Sequence, residues 1–144
     1  MKIFKAPILH KVLIKAPREK VYVAMTTAEG LDGWFTKGTT IVRKSGEKMI
    51  LRWVDWGADK VTTQTECPIL EVKVPERFVF QWWEDHLTTV EMDFIEVEDG
   101  TIVTVNEYGY QDTEEGHKRC LDCATGWGEA LTLLKFYVEH GLRY

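Results

Sequence analysis

Serine is almost missing from this sequence. Ser45 is the only one, and it stands before Gly46 in a turn signal. A G-x-S-x-G nucleophile elbow is therefore excluded. Cysteine is scarce as well: three residues cannot form a disulfide framework, and they are expected as reduced thiols in a cytoplasmic protein. The opening segment, MKIFKAPILHKVLIKAP, lacks the apolar stretch of a secretory signal, because Lys2, Lys5, His10 and Lys11 interrupt it. No run of about 18 apolar residues exists, so no membrane span is expected. Positive charge is in deficit, with 18 basic against 23 acidic residues and a net charge of −5. A nucleic-acid binder would show a basic stripe. Here Lys11, Lys15, Arg18 and Lys20 form only a small group diluted by acids, and no nucleic-acid partner is expected. A glycine-rich phosphate loop is also lacking. Gly126 and Gly128 fall inside a helical pattern, where close packing on a sheet is the expected reason for them.

What the chain does contain is ordinary for a globular protein: 44% hydrophobic and 28% charged residues. The length suits one domain over 1–144. ILHKVLI (8–14) alternates, placing Ile8, His10, Val12 and Ile14 on one face of a strand. KAPREKVYVAMT follows as a helix, with Pro17 in its first turn. AEGLDGWF, broken by Gly30 and Gly33, reads as a short second helix or a turn. Six candidate strands come next: TTIVRK, KMILRWV, KVTTQTECPILEVKV, RFVFQWW, TTVEMDFIEVE and TIVTVNEYGY. The short connections between them imply antiparallel hairpins, and Pro68 marks an edge or a bulge. A long helix over about 113–140 ends the chain. Its stripe runs Cys120, Ala124, Trp127, Leu131, Leu134, Val138, and Gly141 is the stop. The order predicts an α+β fold, with a curved antiparallel sheet of about seven strands wrapped around the terminal helix.

HKRCLDCATGW (117–127) carries evenly spaced His117, Cys120 and Cys123. On a helix His117 and Cys123 start about 9 Å apart, and the direction drifts by about 60° at each interval of three. Tetrahedral zinc holds its ligand atoms at about 2.0–2.3 Å, and no fourth ligand lies nearby in sequence. No metal site and no cofactor are predicted. Cys120 is expected as a small hydrophobe on the stripe, Cys123 on its flank and His117 at the wet end.

Three segments together are familiar. IKAPREKVYVAMTTAEGLDGWF resembles the opening of the SRPBCC superfamily. VPERFVFQWW resembles its strand of the type P-x-R-hydrophobic-x-F-x-W. DGTIVTVNEYGY with GWGEALTLLKFYV resembles its last strand and closing helix. The combination is most similar to the family of homologues of the activator of the heat-shock protein 90 ATPase, over about residues 8–140. The resemblance implies a helix-grip fold, like START domains, with a cavity between sheet and helix. Members of this superfamily include lipid carriers, hormone receptors and polyketide cyclases, so fold alone gives no activity. The co-chaperone that names the family carries an additional chaperone-binding domain. The expectation from 144 residues is a stand-alone protein rather than a chaperone activator.

Alternation sets the expected lining of that cavity: His10 and Val12 on the first strand, Phe80 and Trp82, then Val105 and Glu107, and Cys120, Ala124, Trp127 and Leu131 on the helix. The leading expectation is a carrier or sensor for a small hydrophobic or amphipathic molecule. A second is a cyclase- or hydrolase-like enzyme using Glu107 as general base with His10. A third is a chaperone-interacting module acting through an exposed sheet face or the loop VDWGADK with Trp56. For Glu107 the plainer expectation is a place near the open end of the sheet, reaching water or pairing with His10 or a lysine. For Glu84-Asp85-His86 it is a solvated turn.

Overall fold

The structure, a computed structural model, describes residues 2–144. In chain order it contains β1 (Ile8–Ile14), α1 (Arg18–Thr26), α2 (Ala28–Trp34), β2 (Thr40–Ile41), β3 (Lys48–Trp56), β4 (Val61–Lys73), β5 (Arg77–Trp82), β6 (Thr88–Val97), β7 (Gly100–Tyr108) and α3 (Glu114–His140). The seven strands form one antiparallel sheet in the order β1-β7-β6-β5-β4-β3-β2. This is the helix-grip arrangement the sequence implies. The candidate strand TTIVRK is much shorter than expected, with only Thr40 and Ile41 pairing, to Ile50 and Met49. Pro68 lies on an inner strand rather than an edge. It pairs with Lys48 at the point where β4 leaves β3, just before the irregularity between Ile69 and Glu71 where β4 meets β5. A residue without an N–H is tolerated at such a changeover.

α3 has both of its ends chemically marked. The Thr113 hydroxyl accepts from the Gly116 N–H at 3.0 Å, Glu114 and Glu115 sit in the first turn, and Gly141 closes the helix with φ 69°. Along one side it buries Cys120, Trp127, Leu131, Leu134 and Val138, as the stripe predicts, and Ala130 as well. α3 comes near β1, α1 and α2, and at Gly33 the approach is close enough that a Cβ would fall 2.4 Å from the Tyr137 ring. Beneath it, Tyr22 packs on Phe94 at 4.8 Å, and Phe78, Phe80 and Trp82 succeed one another along β5. These rings occupy much of the interior. Among the strands only β1 comes close to α3, and toward β3 and β4 the space between is walled largely by aromatic side chains.

Candidate functional site

Glu107 is fully buried, yet no cation among the described residues pairs with it. Its two oxygens are instead surrounded by donors. Trp82 Nε1 donates to Oε2 at 2.8 Å, the Thr88 hydroxyl at 2.5 Å and the Tyr110 hydroxyl at 2.9 Å. Trp127 Nε1 donates to Oε1 at 2.9 Å, and the Cys123 thiol lies 3.2 Å from the same oxygen. The partners come from β5, β6, the loop after β7, and α3, and Glu107 itself lies on β7. One carboxylate thus ties the helix to the sheet. Burial and the adjacent Glu107 raise the Cys123 pKa, and burial raises that of Tyr110 with contributions from Cys123 and Glu107. Both groups are held as the protonated donors that this knot uses. A thiol so far above its ordinary range is a poor nucleophile.

The knot also orients two indoles. Trp82 and Trp127, held by their ring nitrogens, lie 5.3 Å apart and form the floor of a recess of about 160 Å³. Its other walls are Phe35 after α2, Trp53 and Trp56 on β3, Val61 and Thr63 on β4, Trp83 after β5, and Cys123, Gly126 and Ala130 on α3. Five of the six tryptophans line it. Two local features bring them together. Trp53 follows Met49 and Leu51 on the inner face of β3. Trp83 has φ 66°, so it leaves strand geometry and comes within 5.8 Å of Trp53. Gly126 contributes by having no side chain: a Cβ there would meet nothing within 4 Å. The Trp56 indole N–H is buried without a partner. A broader depression of about 520 Å³ is bounded by Glu47, Lys48, Glu66 and Glu84, and another of about 390 Å³ adjoins the knot, with Trp83, Tyr110, Arg119 and Cys123 among its walls.

Residues 15–139 match the protein family described as Activator of Hsp90 ATPase homolog 1-like protein. The chain belongs to this family. No match was found among curated proteins. Among solved structures, SSP2350 of Staphylococcus saprophyticus is 26% identical with a TM-score of 0.78, covering 96% of both chains. BH1534 of Bacillus halodurans is 26% identical with a TM-score of 0.79, covering 96% of this chain and all of the other (100%). The Aha1 dimer from Colwellia psychrerythraea shares the fold at 23% identity and a TM-score of 0.78, covering 94% of this chain and 98% of that one.

In this member of the Hsp90-ATPase-activator-like family, the ten residues expected around a cavity separate into three groups. Trp82 and Trp127 line the recess, and Glu107 stands behind them. Phe80, Val105, Leu131 and Cys120 are buried packing residues. His10, Val12 and Ala124 lie at the β1 side, where the His10 ring nitrogen Nε2 donates to the Ala124 carbonyl at 3.0 Å. Glu107 neither reaches water nor pairs with His10 or a lysine; its donors are indoles, hydroxyls and a thiol. Nothing lies within 4 Å of where a Gly126 Cβ would stand, and a Gly128 Cβ would meet only the His10 ring of β1, at 3.9 Å. His117 pairs with Asp112 at 2.7 Å and packs on Phe4. In the turn after β5, Glu84 accepts from the Glu66 N–H and Asp85 meets Arg119, while His86 packs against Tyr110 and is not fully solvated. The alternation of Met49, Leu51 and Trp53 carried the signal for one missed wall. Nothing local signalled Trp83, whose inward turn depends on a positive φ. No described helix is long and apolar enough to cross a membrane.

Proposed function

We propose that this protein is a carrier or sensor that binds a small hydrophobic or amphipathic molecule in the recess between β3, β4 and α3. One observation carries the reading: five tryptophans and a phenylalanine surround about 160 Å³ of space between helix and sheet. Apolar walls with few polar groups are the usual make-up of small-molecule sites. An apolar cavity of about 150 Å³ takes up benzene, which sets the size class of the ligand, or of the part of it that enters. The unpartnered Trp56 N–H supports an amphipathic molecule, since a buried donor without an acceptor costs about 1–3 kcal/mol and a ligand oxygen would relieve it.

The enzyme reading with Glu107 as base receives less support. A general base needs reach to a substrate proton. Glu107 is enclosed by five donors, two of them indoles that can only donate. The chaperone reading rests on the family description. Trp56, its suggested contact, packs instead on Phe35 and Tyr144. Native mass spectrometry of the purified protein, with extraction of any bound molecule, tests the carrier reading, followed by titration of small apolar and amphipathic compounds against tryptophan fluorescence. A saturable response is expected. A flat response across chemically diverse compounds, with nothing extracted, overturns it. A chaperone pull-down with an ATPase readout addresses the alternative.

A further inference from the structure

We infer that the recess takes a compact N-methylated ammonium group; this rests on the ligand-binding reading and names the ligand class. The shape of the walls is the first argument. A flat ring is best held between two parallel faces about 7 Å apart, two van der Waals contacts of about 3.5 Å each. The near-parallel wall rings offer no such slot. Trp53 and Trp83 already lie 5.8 Å apart at 27°, and Phe35 and Trp127 lie 6.1 Å apart at 30°. The ring of Phe35 instead meets Trp53 at 79° and Trp56 at 83°. Walls that meet near right angles make a corner, and a corner suits a rounded group such as trimethylammonium. That group is comparable in bulk to one benzene ring.

Charge is the second argument. The faces of tryptophan rings attract cations, and clusters of aromatic rings are a recurring solution for quaternary ammonium groups. Among the described residues the cation–π contacts are Lys37 over Tyr144 and Arg43 over Tyr22, and neither uses a ring of the recess. On α3, between the lining residues Gly126 and Ala130, stands Glu129. Its carboxylate reaches the β3–β4 turn, 3.7 Å from where a Gly57 Cβ would lie. It has no ion-pair partner among the described residues. That turn carries Asp59 and Lys60, with Asp55 at the end of β3 before it, and Lys37 lies over the Tyr144 ring that packs on Trp56. An exposed carboxylate is screened by solvent, so it adds attraction at the mouth while the rings supply the selectivity.

The test compares choline with its uncharged isostere 3,3-dimethyl-1-butanol, each titrated calorimetrically into the purified full chain. The two differ in charge and hardly in shape. Choline is expected to bind about tenfold tighter or more. Trp56→Leu, a change at the half-buried wall, removes the N–H for both compounds and is expected to weaken choline about fivefold more than it weakens the alcohol. Glu129→Gln is expected to weaken choline modestly, and less so at high salt. Equal or tighter binding of the alcohol overturns the cation assignment and leaves the apolar-ligand reading standing. No saturable binding of either compound also overturns it, and the broader compound panel then decides the carrier reading by itself.

Discussion

Two parts of the helix–sheet interface can be set side by side. Below the middle and C-terminal part of α3, the space is closed: Leu134, Val138, Phe78, Phe94, Tyr22 and Met25 are all buried in one core cluster. Toward β3 and β4 it is open, although more aromatic surface gathers there. The difference is one of fixing. On the closed side, branched and flexible side chains interdigitate until no space is left. On the open side, rigid indoles are held at their nitrogens by Glu107, or set by the backbone as at Trp83, and cannot collapse onto Gly126. A carboxylate that reads as a candidate base in sequence is here the centre of a buried polar knot that holds the indoles apart.

The largest expected effect breaks the knot. Glu107→Ala leaves five donors without their acceptor and should destabilise the fold by about 4 kcal/mol or more, measured by urea denaturation. If Glu107 were instead a catalytic group not needed for structure, stability would change little. On the closed side, Leu134→Ala should cost about 3 kcal/mol as a core cavity while leaving ligand affinity unchanged. A loss of affinity there would mean that the two parts are not independent.

Alkaline pH gives a third comparison. Burial pushes the Cys67 thiol up to about 12, and Cys123 and Tyr110 are raised too. Above about pH 9 for the thiols and about pH 10 for Tyr110, the unfolded chain loses these protons while the folded one keeps them, so stability falls as pH rises. The contribution is complete below about pH 9 and is lost toward 12, by up to about 1.4 kcal/mol per pH unit for each group. Thermal melts from pH 8 to 11 should show this fall, and Cys67→Ala should make it shallower. The smallest effect sharpens the contrast most. Gly126→Ala should stabilise α3 by about 0.5–1 kcal/mol, because the new Cβ enters open space, and it should also weaken ligand binding.

Much of this was legible from residue order. Period-2 alternation placed Phe80, Trp82, Val105 and Glu107 inward, and the four-three spacing placed Trp127 and Leu131 on the helix stripe. Two things were not legible. The first is the company Glu107 keeps: Thr88, Tyr110 and Cys123 lie on separate elements, and only register and helix rotation bring their donors to one point. The second is the far wall. Trp82 and Trp83 are adjacent, and alternation sends neighbours to opposite faces. The positive φ of Trp83 defeats that rule at the end of β5. Gly126 misled for a related reason. A helical glycine usually signals close approach, and here it borders empty space.

The most direct measurement is a tryptophan-fluorescence titration of small apolar and amphipathic compounds into the wild-type protein and into Gly126→Leu. This substitution keeps the helix and fills the recess. The account predicts a saturable response in the wild type that weakens at least about tenfold in the variant, whose thermal stability is retained. An identical response in both proteins would place binding elsewhere and contradict it.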